Sequence, residues 1–172
     1  PKGTKNGYFA ESGWASIGNK IKVPTNKSIW SVIGNKVLSV NNPVTLEWNN
    51  GSNLIFKKKI EIDDNYLFKI SQEVKNNSSE QVELYPYAQL TRKNIPEDLK
   101  GFYILHEGFI AVLDDELKED DYDDIEEKKI VREANKGWIG ITDKYWMTAL
   151  IPEAGEKFKS TFLYQDAYKA NF

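Results

Sequence analysis

The side chains able to do chemistry are few. The chain has a single histidine, His106, and no cysteine. Structural and catalytic zinc sites draw on several imidazoles or thiolates, so His106 cannot anchor one, and a disulfide framework is excluded. No serine stands in a Gly-x-Ser-x-Gly elbow of the kind that presents a nucleophile. His106 therefore reads as a structural or loop histidine. Carboxylates are the other resource. Residues 114–127, DDELKEDDYDDIEE, hold ten acids and one lysine, a local charge of −9 in a chain of net −3, which leaves +6 elsewhere. A calcium loop of the EF-hand type needs regularly spaced oxygens and a central glycine, and this run has no glycine. It reads as a solvated acidic loop, since blocks of like charge stay in water. A carboxylate pair for glycoside hydrolysis can be drawn at almost any separation from so acidic a chain, so the pattern selects none. No catalytic residue, metal or cofactor is implied.

Two further motifs have plain readings. Lys57, Lys58 and Lys59 look like part of a strand with a charged edge, because alternation turns Lys58 away from its neighbours and no glycine-rich phosphate loop accompanies them. Asn50-Gly51-Ser52, Asn76-Asn77-Ser78 and Asn77-Ser78-Ser79 match the glycosylation acceptor pattern, but each reads as a hairpin turn.

Any site must be positioned by strands. With 172 residues, 40% hydrophobic and 28% charged, the chain can bury a core. It is expected to form a single domain over residues 1–172, a piece of something larger. Its charge gives no general hold on phosphates, so nucleic acid is not an expected partner. No apolar run approaches the roughly 20 residues that span a bilayer. PVTLEWNN, NLIFKKKIEI, YLFKISQEV and QVELYPYAQLTR are rich in β-branched and aromatic residues and are separated by turn chemistry, which predicts a four-stranded meander. Within it, Phe68, Ile70, Gln72 and Val74 alternate with Leu67, Lys69, Ser71 and Glu73, one face being mostly apolar. The last third repeats the style in KKIVREA, GWIGIT, KYWMTALI and KSTFLYQ. Helical periodicity is nearly absent, with one turn expected after Pro96. The fold class is all-β, a sandwich of large twisted antiparallel sheets with little helix. In KGWIGITDKYWMTALIPE, residues 136–153, the side chains of Trp138, Ile139, Ile141, Trp146, Met147 and Leu150 are expected to hold two sheets together. Gly137 and Gly140 are expected to mark a bend or a close approach of chains.

One stretch has interface chemistry. Tyr85, Tyr87, Gln89 and Arg92 precede a long connection that carries Phe102, Tyr103 and His106. Tyrosine and arginine combine area with a polar handle, and Pro86 inside a strand argues for an edge or bulge. Those seven residues form a candidate partner-binding surface. The plainer reading sets Tyr85 and Tyr87 facing the core.

GYFAESGW, the block from Pro43 to Arg92, LHEGFIAVLDDELKEDDYDDIEE and KGWIGITDKYWMTALIPE occur in an order that resembles one family, the large first periplasmic domain of the YidC membrane protein insertases of Gram-negative bacteria. The resemblance runs over residues 7–153. It implies a β-supersandwich, galactose-mutarotase-like in fold, on the periplasmic face of the inner membrane. It also implies a non-enzymatic accessory role in the insertion and folding of membrane proteins. Sec translocon components and nascent membrane-protein segments are the implied partners. No insertase residue maps onto this sequence, because the family's transmembrane core is not in it. The mutarotase kinship raises an alternative, a carbohydrate-binding or carbohydrate-modifying β-sandwich. Those enzymes use more than one histidine, and only His106 is present.

Overall fold

The computed structural model describes residues 4–95 and 106–172, so the turn expected after Pro96 lies outside the described residues. The chain divides into two compact units, Pro1–Ser12 with Tyr87–Phe172, and Gly13–Pro86. Strands dominate both, and the one α-helix among the described residues, α1, spans only Tyr122–Glu127. The expected all-β class holds.

The unit containing residues 87–172 is a two-sheet sandwich. One sheet has the order β1 (Tyr8–Ala15), β6 (Tyr85–Arg92), β13 (Tyr168–Asn171), β12 (Phe158–Tyr164), β9 (Ile130–Ala134). The other runs β11 (Met147–Leu150), β10 (Gly137–Thr142), β7 (Gly108–Leu113), β8 (Glu116–Asp121). Alternation sends Phe109, Ala111 and Leu113 of β7, with Ile139 and Ile141 of β10, into one core. Facing them are Leu90, Ala134, Phe162, Tyr168 and Ala170 from the five-stranded sheet. Large residues sit opposite small ones, as Ile139 does to Ala111, and Leu90 and Phe162 do to Ala170. Each fully buried large side chain contributes about 1.5–3 kcal/mol. Gly137 is required by geometry. Its φ is +131°, and a Cβ there would lie 1.9 Å from the Val112 carbonyl oxygen. At Gly140 the same atom would fall 2.7 Å from the Thr148 oxygen. Both are close approaches, as expected.

The other unit is built on a meander of β2 (Ser31–Ile33), β3 (Val44–Asn49), β4 (Leu54–Ile62) and β5 (Phe68–Asn76), paired in that order and antiparallel throughout. Its core is Trp14, Leu54 and Phe56, with Trp30, Trp48 and Val74 packed against them. Lys58 lies 5.5 Å from the Trp14 ring and 5.6 Å from that of Trp30. Its neighbours meet acids instead, Lys57 with Glu47 at 3.7 Å and Lys59 with Glu61 at 2.8 Å. The triplet is a strand. Asn50 and Asn76 accept the backbone N–H groups of Ser52 and Ser78 at 2.7 and 2.9 Å, which is turn chemistry at two of the three acceptor motifs.

Three expectations need correction. Strand β6 does not continue the meander; it pairs with β13, in a register that sets buried Leu90 against Ala170. Local alternation cannot show so distant a partner. Trp138, Trp146 and Met147 are not core: Trp138 alternates with buried Ile139 and Ile141 on β10, and the β10–β11 connection closes as a turn in which Asp143 N–H donates to the Trp146 carbonyl at 2.7 Å, leaving Trp146 outside any strand. The acidic run is not a solvated loop. It forms β8 and α1; Tyr122, Ile125 and Asp120 are buried. Asp120 receives both Arg132 nitrogens, at 2.7 and 2.8 Å. Asp124 accepts the Asp121 N–H at 3.3 Å as a helix cap, and Asp114 accepts the Asn135 and Lys136 N–H groups at 2.9 and 3.2 Å.

Candidate functional site

Among the described residues of its unit, the β10–β11 turn carries the most exposed aromatic pair. Tyr145 and Trp146 are each 75% exposed, and Met147, next in the chain, is exposed as well. Beneath the turn the structure is fixed. The Asp143 carboxylate accepts from the Arg92 guanidinium through Oδ2 and from the Tyr122 hydroxyl through Oδ1 at 3.0 Å. Both members of the ion pair are largely buried, with side chains 15% and 12% exposed. Arg92 also donates through Nε to the Asn94 carbonyl at 2.9 Å, and its guanidinium lies 5.5 Å from the Tyr8 ring. The Tyr8 hydroxyl in turn donates to the Ile141 carbonyl at 3.2 Å, on β10 itself. Lys144 N–H donates to Glu107 Oε1 at 2.9 Å, and Lys144 Nζ lies 5.1 Å from the Tyr145 ring.

Electrostatics follow from burial. Burial pushes the Tyr122 phenol well above the ordinary range, and the Asp143 charge beside it pushes the same way. Tyr8 is raised for the same leading reason, opposed by the side-chain hydrogen bond to Thr148. Both phenols stay protonated at neutral pH. The network is thus a paired charge with its remaining lone pairs satisfied, the condition under which a buried ion pair is tolerated. It offers no base or nucleophile free to act. What it can do is hold two aromatic rings out in water at a fixed place.

Other concavities are open and mixed in polarity. The unit Gly13–Pro86 has a cleft of about 630 Å³ lined in part by Lys20, Lys22, Asn50, Glu80 and Glu83. In the sandwich unit a shallower one of about 410 Å³ is bordered by Asp114, Glu116, Lys118, Arg132 and Glu133. Among the described residues no group of three or more histidines and carboxylates is placed to hold a metal ion.

A sequence model of the YidC periplasmic domain matches residues 1–172. The chain belongs to that family. The membrane protein insertase YidC of Pelagibacter ubique is 44% identical over 172 residues, covering 100% of this chain and 31% of that protein. Its counterpart in Cereibacter sphaeroides is 40% identical over 185 residues, 99% of this chain and 30% of that protein. The one in Nitrobacter hamburgensis is 42% identical over 165 residues, 94% and 27%. The chain therefore spans less than a third of the length of these curated relatives. The match agrees with the resemblance read from the motifs, and it gives the carbohydrate alternative no support.

Of the residues proposed from sequence, Tyr85, Tyr87, Gln89 and Arg92 lie on β6 of this YidC periplasmic domain, and His106 precedes β7. Tyr85, in the unit Gly13–Pro86, is exposed and donates its hydroxyl to Glu83 at 2.6 Å. Tyr87 is exposed on β6. Gln89 donates to Thr91 Oγ1 at 3.0 Å and accepts from Asn171 at 3.4 Å. Arg92 has its fork turned inward to Asp143. His106 sets Nε2 2.8 Å from the Phe109 carbonyl and Nδ1 3.5 Å from Asp121, a structural placement. Phe102 and Tyr103 lie outside the described residues. Arg92 does belong to the site, as the residue that fixes the turn. Sequence reasoning missed Tyr145 and Trp146 because it assigned KYWMTALI wholly to a strand. The available signal was Asp143-Lys144 between two apolar runs, which is turn chemistry.

Proposed function

We propose that this chain is a non-catalytic interaction domain of a membrane protein insertase. It works at the periplasmic face of the bacterial inner membrane and assists insertion and folding of inner-membrane proteins, alone or with the Sec translocon. One observation carries the reading: Tyr145 and Trp146 stand exposed on a turn held by the Arg92–Asp143 pair. Tryptophan and tyrosine are the side chains most often dominant at protein interfaces, and a rigid support lowers the ordering cost of binding. The family and the names of the relatives supply the context. His106 is engaged by the Phe109 carbonyl and sits with no second histidine, which favours a non-enzymatic role. The partners are Sec translocon components and nascent membrane-protein segments. Tyr85, Tyr87 and Gln89 are a secondary candidate surface.

The test uses the full-length parent. Tyr145→Ser with Trp146→Ser should weaken retention of Sec components on the purified insertase by about thirtyfold, the loss expected for a hot spot worth about 2 kcal/mol. Thermal unfolding should not change, because both side chains are already in water. Undiminished retention and undiminished substrate insertion would refute the assignment of this turn.

A further inference from the structure

In the unit Gly13–Pro86, strands β4 and β5 end in a hairpin tip whose chemistry the partner surface does not explain. Tyr66 is 81% exposed, and Leu67 and Phe68 are each 57% exposed. The turn is tightly made. Asp63 Oδ1 accepts the N–H groups of Asn65 and Leu67 at 2.8 and 2.9 Å, and Asp63 N–H donates to the Leu67 carbonyl at 3.2 Å. Tyr66 takes φ of +62°, a conformation that a bulky side chain rarely adopts.

The sheet behind the tip continues the same surface. Directly paired residues share a face, so Phe68 and Ile62 form one row and Val44, Ile60 and Ile70 the next. At the far end of these strands the face is closed by the Trp14–Phe56 core, with Trp48 and Val74 against it. At the tip end it is open, since Phe68 and Ile70 are both exposed. Phe68 and Ile70, with Ile62, Ile60 and Val44, thus form an apolar patch set apart from the Trp14–Phe56 core by the row of Leu46, Lys58 and Gln72, and it ends at a turn on which Tyr66 and Leu67 are also exposed.

We propose that this tip, Tyr66–Leu67–Phe68 with Ile70 behind it, inserts into the headgroup and upper acyl region of a lipid bilayer. A projecting row of side chains has no concavity for a folded ligand, but it suits a fluid phase, and tyrosine sits favourably at the membrane–water boundary. The bilayer is the occupant favoured by what lies outside this chain. The matched relatives are named membrane protein insertases, and this chain is about 31% of their length or less, so on the proposed function the domain is joined to a long remainder at the membrane. Tethering makes contact with that surface intramolecular, and weak insertion is then enough. Charge opposes it only weakly: Asp64 is an exposed carboxylate of the turn, and Lys69 stands opposite Glu61 in register. Glu61 is paired with Lys59 and Asp63 is spent inside the turn. Insertion is therefore driven by apolar burial and depends little on anionic lipid or on salt. The inference rests on family membership and the β4–β5 tip, and it is independent of the Tyr145–Trp146 reading.

The chain has no cysteine, which makes the test direct. Leu67→Cys carries an environment-sensitive nitrobenzoxadiazole label; Ser52→Cys, in the turn at the opposite end of β4, is the control. Vesicles of phosphatidylethanolamine with phosphatidylglycerol, and separately of phosphatidylcholine, are titrated to millimolar lipid. We expect a blue shift and brightening at position 67 with both compositions and none at position 52. In unlabelled chain, Tyr66→Ser with Leu67→Ser and Phe68→Ser should reduce partition into floating vesicles by about tenfold with an unchanged thermal transition. Should that variant fail to fold, Leu67→Ser alone gives the same direction. An unaltered label at 67, equal responses at 52 and 67, a response only to a soluble apolar peptide or to chain self-association, or undiminished flotation of the folded variant would overturn the proposal.

Discussion

Arg92 and Asp143, 51 positions apart in the sequence, meet as a largely buried ion pair beneath the Tyr145–Trp146 turn. Arg92 ends β6 of one sheet and Asp143 follows β10 of the other. The pair thus ties the two sheets of the sandwich together at the point where the turn leaves it.

Breaking that pair from one side should be costly. Asp143→Ala leaves the Arg92 charge buried without its partner and deprives the Tyr122 hydroxyl of its acceptor, for an expected loss of about 3–5 kcal/mol. Replacing Arg92 by Met and Asp143 by Leu together should cost less than the two single changes summed, because no lone charge remains. Urea denaturation of the four members of the cycle gives the comparison. Additive losses would show that the two residues do not act as a pair.

The acidic run makes a site-by-site prediction. Asp120→Asn loses the charge that takes both Arg132 nitrogens in a buried place, and should destabilise by about 2–3 kcal/mol. Asp123→Asn, on the exposed first turn of α1, should change stability by no more than about 0.5 kcal/mol. Equal effects in chemical denaturation would restore the picture of a solvated loop.

Alkaline pH should unfold the sandwich for a nameable reason. Tyr122 and Tyr8 are raised by burial, as is Tyr168, with its hydrogen bond to Glu126 adding to the shift. The unfolded chain loses these protons near pH 10, whereas the folded chain keeps them. Above pH 10 the unfolded state therefore binds fewer protons. Stability is fully present below that pH and falls above it, by up to about 1.4 kcal/mol per pH unit for each phenol that the folded chain keeps protonated. Denaturation midpoints from pH 8 to pH 11 should show the decline, and Tyr122→Phe should make it shallower. A flat profile would contradict the burial of these phenols.

Backbone demands differ sharply between glycines. Gly137→Ala forces a Cβ onto the Val112 carbonyl and should cost about 3 kcal/mol or more. Gly51, at φ of +79° with open space around it, should cost about 1 kcal/mol when changed to alanine. Thermal melts of the two variants rank them, and the reverse order would be evidence against this register of β7 and β10.

Much of this was legible in the sequence, and the residues show why the rest was not. The meander of β3, β4 and β5 is readable because its strands alternate and its turns are local, as at Asn50 and Asp63. The partner of β6 was not readable, since nothing in YPYAQLTR names Ala170 as the neighbour of Leu90. In KYWMTALI the hydrophobicity around Trp146 masks Asp143-Lys144, the local turn signal. The acidic run conceals its structure for the opposite reason. Charge density hid Tyr122 and Ile125, the two apolar side chains that α1 buries, and gave no sign that Arg132 would neutralise Asp120. Arg92 offers the fork that interfaces use, but here its Nη1 meets Asp143 of the same chain and its Nε the Asn94 carbonyl.

The central claim is that the Tyr145–Trp146 turn meets a partner. Photo-crosslinking from positions 145, 146 and 147 of the full-length insertase in cells tests it most directly, with positions 87 and 89 as the secondary surface and positions 57 and 118 as controls. The account predicts adducts with Sec components or nascent membrane-protein segments from position 146, and their loss when Asp143→Ala releases the turn. Absence of adducts from 145–147, or adducts of equal yield from 57 and 118, would contradict it.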